Sequence, residues 1–337
     1  MVTPFELEFV VANYLRGRRI DSVLVRQLRN HTPFRIQRLV RAGLVQLDQK
    51  VVDLETRVYP GQRVRVRVVE PPDKLLTATA APIEILFEDR WLTVVNKPPG
   101  QMTHPAAESR TDTLINALQW HLDQQETPRG LLRPGIVHRL DRDTSGVIVT
   151  TKHHLAHRNL SIQFQQREVT KTYLTLVEGR LKNDTGVIAR DIGHVDDPES
   201  ILMSAGTSAR DARSASTSYR VLERFDDCTF LEASPLTGRL HQVRVHLAHI
   251  GHPVLGDPFY GPCGQIRQDR QGRSLVPARP CLAGSSLTRQ ALHAARLECR
   301  HPIEDRSMRF EAPLPDDLAR AVRIAKTGRS NRVDAPG

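Results

Sequence analysis

A run of turn-forming and small residues, Pro71-Pro72 followed by Thr77-Ala78-Thr79-Ala80-Ala81-Pro82, interrupts the chain early and offers few large apolar side chains for packing. Such a stretch reads as a linker. It separates a short basic segment from a long one of alternating strand and helix patterns, so the chain is constrained to two separately packed units with a boundary near residue 78. At about 150 residues per domain, 337 residues suffice for two cores.

The first unit is dense in cations. Between Arg16 and Lys50 there are nine basic side chains against Asp21 and Asp48, a local net charge of +7. Two short helices are predicted, around Asp21 to Gln27 and Phe34 to Ala42, the second with Ile36, Leu39 and Val40 at helical spacing and Gly43 as its stop. Arg35, Arg38 and Arg41 recur every three residues and so share a face opposite that apolar stripe. A short strand at Leu44 to Leu47, a turn at Asp48-Gln49 and the alternation Arg63-Val64-Arg65-Val66-Arg67-Val68 follow, the last a period-two strand with a charged outer side. One arginine triplet could be a merely solvated face; a charged helix and a charged strand on the same small unit favour RNA binding.

Over the whole chain, 48 basic against 38 acidic residues give +10, which favours a large anionic partner, nucleic acid first. With 39% hydrophobic and 26% charged residues, the bulk of the chain is excluded from the disordered class. No apolar run is long enough for a membrane span, and Glu6 and Glu8 sit where a signal peptide would be basic. Cys228, Cys263, Cys281 and Cys299 are widely spaced, which speaks against a disulfide framework or structural zinc and fits a reducing cytoplasm.

In the second unit, short apolar strands (Ile85-Leu86-Phe87, Leu92 to Val95) and a helix at Thr113 to His121 precede Gly135-Ile136-Val137-His138-Arg139-Leu140-Asp141-Arg142-Asp143-Thr144-Ser145-Gly146. This charge-dense loop ends abruptly at the core strand Val147-Ile148-Val149, a junction that would hold carboxylates and arginines rigidly. A helix (His154 to Arg167), a strand (Lys171 to Val177), the run Pro235-Leu236-Thr237-Gly238-Arg239-Leu240-His241-Gln242-Val243-Arg244 and the run Gly251 to Gly261 come later. Taken alone, Asp141, Asp143 and Asp257 could be metal carboxylates of a nuclease, and His153, His154 and His157 ligands at helical spacing. No His-Glu-x-x-His pattern accompanies them, so no metal is expected, and Asp143 and Asp257 read as loop and turn residues.

Together with Val95-Asn96-Lys97-Pro98-Pro99-Gly100, His104-Pro105 and Arg289-Gln290-Ala291-Leu292-His293-Ala294, these blocks resemble the RluA/RluD family of RNA pseudouridine synthases from Ile83 to Leu318, in family order. The first unit resembles the small RNA-binding module first named for ribosomal protein S-four, through Arg19-Ile20-Asp21, Arg35 to Val40, Gly43-Leu44-Val45 and Gly61. The resemblance implies an α+β fold: a mixed, mainly antiparallel central sheet with a central cleft (residues 83–320), preceded by an S-four-like α/β module (17–77). A disordered basic tail (324–337) is expected after it.

The same resemblance assigns the catalytic aspartate to Asp141, the active-site tyrosine to Tyr173 and the paired cation to Arg244. Arg239 is assigned to substrate contact, and Arg139 to the gap left by an extruded uridine. The chemistry implied is cofactor-free isomerisation of uridine in RNA, by a monomer, with large-subunit ribosomal RNA the favoured substrate. The alternatives are transfer RNA and a non-catalytic RNA-binding ribosome assembly factor. Leu240 departs from the small hydroxyl residue common there, and the polar segment from Cys263 to Ser286 reads as an exposed loop. Replacing Arg35, Arg38 and Arg41 together by Ala is expected to weaken RNA binding and flatten its salt dependence, because fewer phosphates are neutralised. An unchanged slope of affinity against salt in a binding titration would reduce that face to a solvated surface.

Overall fold

The computed structural model describes residues 5–68, 76–105, 111–125, 133–197, 200, 202–206, 209–268 and 287–333. The first unit comprises β1 (Phe5–Val10), α1 (Ile20–Gln27), α2 (Pro33–Arg41), β2 (Val45–Leu47), β3 (Lys50–Val51) and β4 (Arg63–Val68). In β4 the arginines are exposed and the valines buried in strict alternation, as the period-two pattern requires. The four strands lie in the order β1-β4-β2-β3, all antiparallel. Thr32 caps α2 by accepting from the Arg35 amide, and Pro33 occupies its first turn, where a missing amide proton costs nothing. Ile36, Leu39 and Val40 are buried against Ile20, Leu24, Val64 and Val66, while Arg38 and Arg41 face solvent.

The second unit runs β5 (Glu84–Glu88), β6 (Leu92–Lys97), α3 (Leu114–Gln125), β7 (Gly135–Ile136), β8 (Ser145–Thr151), α4 (His154–Gln166), β9 (Thr170–Glu178) and β10 (Thr185–Ala189). It continues with β11 (Ile192–His194), β12 (Met203–Ala205), β13 (Arg210–Arg213), β14 (Ser216–Arg224), β15 (Cys228–Pro235), α5 (Gln242–His249), β16 (Leu292–Arg300), β17 (Ser307–Glu311) and α6 (Asp316–Val333). Ten strands form one sheet, β10-β14-β15-β9-β16-β8-β6-β5, with β17 beside β16 and β7 beside β8. Its pairs are antiparallel except β8 with β16, so the fold is the α+β class expected. A small sheet, β12-β11-β13, stands apart.

Every residue of β8 is buried, which anchors the loop that enters it. At Gly146 that strand passes so close to β16 that a Cβ would stand 2.2 Å from the Ala294 carbonyl oxygen, and φ is +117°. Only glycine satisfies both conditions.

Two expectations are corrected. The basic tail is not disordered from residue 324: α6 continues to Val333, because Leu318, Ala321 and Ala325 recur at helical spacing and pack into the main core. The segment after Cys263 is not uniformly an exposed loop either. Arg267 is buried and donates to Glu178 at 2.7 Å and to the Asp257 carbonyl at 3.0 Å; residues 269–286 lie outside the described ones. Gly146→Ala is expected to lose on the order of 3 kcal/mol of folding stability, from steric overlap and backbone strain. Urea denaturation of the purified variant reads this directly.

Candidate active site

The loop from Val137 to Thr144 is fastened from several sides before it reaches β8. Leu140 is buried beside Val95, Leu114, Leu118 and Ile148, so it pins the loop into the core next to Asp141. Thr103 Oγ1 donates to the Leu140 carbonyl at 3.0 Å. Lys97, wholly buried, donates its three protons to the carbonyls of Pro98, Gln101 and Arg142 at 2.8, 2.9 and 2.9 Å. Burial pushes that ammonium down to about 7. Arg289, held by Asp317, donates to the Asp143 carbonyl at 2.9 Å. His138 accepts from the Val149 amide at 3.0 Å and stacks on Phe164 with centroids 4.8 Å apart. Burial holds it neutral, with its pKa pushed down to about 3, so it fixes the loop rather than carrying charge.

Across the cleft, α5 carries Arg244. Its Nη1 donates to Asp141 Oδ2 at 3.0 Å, while Nε and Nη2 donate to the two oxygens of Asp257 at 2.6 and 2.9 Å. Asp257 was read as a turn residue. It does accept from the Phe259 and Tyr260 amides, but its principal partner is the buried guanidinium, so it is an ion-pair residue as well. Two of the three aspartates that could be metal carboxylates, Asp141 and Asp257, are therefore bridged by an arginine. Among the described residues, no group of three or more His, Cys, Asp and Glu comes together in a way that could hold a metal ion.

Burial works to raise the Asp141 carboxyl, but His241, Arg244 and Arg139 outweigh it and hold it below the ordinary carboxylate range. His241 is itself pushed down to about 4 by burial. It is neutral near pH 7, where the cation that keeps Asp141 ionised is Arg244. The Tyr260 hydroxyl accepts from the Met203 amide and lies 2.7 Å from His241 Nδ1. The other ring nitrogen, His241 Nε2, lies 3.9 Å from Asp141 Oδ2.

A cleft of about 800 Å³ opens on this group, and Asp141, Tyr173, Arg244, Arg139 and Arg239 all line it. Tyr173 lies half-buried on β9, and burial with the nearby Asp141 charge raises its hydroxyl pKa, so it stays protonated. Two residues earlier on the same face, Lys171 donates to the Thr237 carbonyl at 3.1 Å and is pushed down to about 8 by burial. Arg139 is exposed at the rim. Arg239 donates from Nε to the Ser214 carbonyl at 3.2 Å, and its loop is held by Gln242, which accepts from Thr237 Oγ1 and from the Arg239 amide. Arg35, Arg38 and Arg41 lie on the first unit, outside this cleft. Sequence reading missed His241, Asp257, Tyr260, Lys97 and Lys171 as parts of the site. His241 and Lys171 lie close in sequence to Arg244 and Tyr173, Asp257 and Tyr260 lie in the run ending at Gly261, and Lys97 lies in the Val95–Gly100 motif, so the signal present was their place in or beside those motifs.

The chain matches the family model for RNA pseudouridylate synthase over residues 92–249 and that of the S4 domain over residues 18–64. It is 37% identical over 332 residues to ribosomal large subunit pseudouridine synthase D of Nitrosomonas europaea, covering 98% of this chain and 91% of that one. An uncharacterized RNA pseudouridine synthase of Bacillus subtilis is 36% identical over 317 residues, covering 94% of this chain and 97% of the relative. The solved structure of human RNA pseudouridylate synthase domain containing 4 superposes with a TM-score of 0.53 at 25% identity, over 72% of this chain and 93% of that one. The fold and the cleft are those of an isomerase acting on RNA. The chain belongs to the RNA pseudouridine synthase family and carries an S4 domain at its N-terminus.

Arg244→Lys keeps the charge but loses the planar fork that reaches both aspartates. A carboxyl held low is ionised above its pKa and lost as pH falls through it, so weaker pairing moves the acid limb of kcat/KM upward, by about one pH unit. A pH–rate profile of the variant that superimposes on that of the wild type would refute this role for Arg244.

Proposed function

We propose that this enzyme converts uridine to pseudouridine in large-subunit ribosomal RNA, with Asp141 as the catalytic aspartate. The observation that carries the reading is an ionised carboxylate in the cleft, fixed by a buried arginine and facing a half-buried tyrosine. A fixed carboxylate can act at the glycosidic bond without a cofactor. The N1–C1′ bond breaks, the uracil turns within the cleft, and C5 bonds to C1′; C5 loses its proton and N1 gains one. Tyr173 supplies a stacking wall for the base, an interaction worth about 1 to 3 kcal/mol. That offsets part of the few kcal/mol needed to extrude a nucleotide, and Arg139 at the rim is placed to fill the gap it leaves. Arg239 contacts the strand on the other side of the cleft.

The ribosomal substrate is supported by the similarity, along nearly the whole chain, to a relative named for the large ribosomal subunit. A bacterial-type ribosomal substrate implies work in the cytoplasm. Among the described residues no helix is long and apolar enough to cross a membrane.

The decisive test is tritium release from unmodified ribosomal RNA and transfer RNA labelled at C5 of uridine. Wild type is expected to release tritium from large-subunit RNA, and Asp141→Asn to release none while retaining RNA affinity. Release only from transfer RNA would overturn the substrate, and undiminished release by Asp141→Asn would overturn the aspartate. Tight binding with no release from either RNA would favour an assembly factor.

A further inference from the structure

Outside the cleft, buried arginines in this fold are paired with carboxylates: Arg267 with Glu178 at 2.7 Å and Arg289 with Asp317 at 2.7 Å. Arg29 is different. It sits half-buried where the S4 domain meets the catalytic domain, with no hydrogen bond and no ion pair among the described residues. Its Nη1 lies 3.0 Å from where a Cβ would stand on Gly135, in the strand that leads into the catalytic loop. Burial first, and then the positive charge of Arg133, push its pKa down, with Tyr14 acting weakly the other way.

The rest of this seam has the same sign. Tyr14 of the S4 domain bonds His154 across it, at 2.7 Å from hydroxyl to Nε2, and Arg158 lies 4.0 Å over the Tyr14 ring. His153, His154 and His157 are all held neutral, by burial first and then by arginines and neighbouring histidines, at about 4, 3 and 4. Arg26 on the S4 side and Arg90 on the catalytic side add to this field. Among the described residues, no carboxylate is among the leading influences on Arg29 or on the three histidines. The buried Nδ1 of His154 has no hydrogen-bond partner among the described residues. A guanidinium withdrawn from water beside other cations is unfavourable unless an anion meets it.

We propose that the seam is a second phosphate-binding site, built jointly by Arg26 and Arg29 of the S4 domain and Arg133 and Arg158 of the catalytic domain, which takes a backbone phosphodiester of the RNA. The inference rests on the reading of the enzyme as acting on RNA. Its geometry suits that role because α4 joins the two places: His154, His157 and Arg158 of its first turns face the seam, and Ser161, Phe164 and Gln165 line the cleft. Thirteen residues of helix span about 20 Å, so a strand in the cleft reaches the seam within a few nucleotides. A phosphate there neutralises both domains at once and ties their relative orientation to bound RNA.

Two measurements on Arg29→Gln/Arg133→Gln test it. The first is the melting temperature with inorganic phosphate titrated against chloride at constant ionic strength. The wild type is expected to be stabilised by phosphate more than the variant, by mass action at the seam, and the variant to be no less stable than the wild type in chloride, since a repulsion is removed. An equal phosphate effect in both proteins would overturn the site. The second is the salt dependence of binding to unmodified large-subunit ribosomal RNA. The slope of log affinity against log salt is expected to fall by about 1 in the variant, and an unchanged slope would show that RNA does not use the seam. Absence of RNA binding by wild type would instead defeat the functional reading, with the phosphate titration still deciding whether the anion site exists.

Discussion

One guanidinium holds the two halves of the active site together. Arg244 reaches Asp257 with Nε and Nη2 and Asp141 with Nη1, so the Asp141 carboxylate is positioned by an arginine whose own orientation is set elsewhere. Asp257 is in turn fixed by the Phe259 and Tyr260 amides, and its backbone carbonyl by Arg267. Removing one partner from such a buried arrangement leaves an uncompensated charge, at a cost of about 3 to 5 kcal/mol. The fork geometry matters as much as the charge. A lysine at the same place would be a single point of contact where the site needs two directions at once.

On the other side of the cleft, the loop bearing Asp141 is held by its backbone. The carbonyls of Leu140, Arg142 and Asp143 are met by Thr103, Lys97 and Arg289. Lys97 is engaged by carbonyl oxygens and Arg289 by Asp317 and carbonyl oxygens, so both position the peptide while leaving the Asp141 side chain to Arg244 and the cleft. Leu140 is buried in the core and Arg139 is exposed, and Asp141, the next residue, lines the cleft. Rigidity here comes from the fully buried β8 strand, whose close pairing with β16 at Gly146 joins the Asp141 loop to the Arg289–Ala294 segment.

The cations of the S4 domain face two ways. Arg38 and Arg41 look outward from α2, whereas Arg29 is turned inward to the catalytic domain, where among the described residues it meets a neutral histidine cluster rather than an acid. The two settings have different electrostatics. An outward cation is screened by salt within about 10 Å, while a half-buried one keeps most of its field and waits for a counter-charge of fitting size.

Much of this protein was legible in the order of its residues, and for a shared reason. The β4 strand, the α2 helix with Pro33 at its start, and the loop that ends at β8 depend on contacts between neighbours in sequence, so periodicity and turn chemistry sufficed. Asp141, Tyr173, Arg244, Arg139 and Arg239, named from motifs, do line one cleft. In the tail after Arg323, charge and glycine content point to disorder, whereas the spacing of Leu318, Ala321 and Ala325 has a value that depends on a core they meet only after folding. Asp257 looked like a turn residue because its local bonds are those of a turn; its partner Arg244 lies on a helix whose approach is set by the sheet. Composition counted Arg29 among nine cations of one basic segment, without showing that it faces inward. Sequence alone determined the elements, the motifs and the sign of the charge. The tertiary structure decided which charges meet, because ion pairs and buried cations depend on distances between residues far apart in the chain, and closure of the sheet and docking of the domains set those distances.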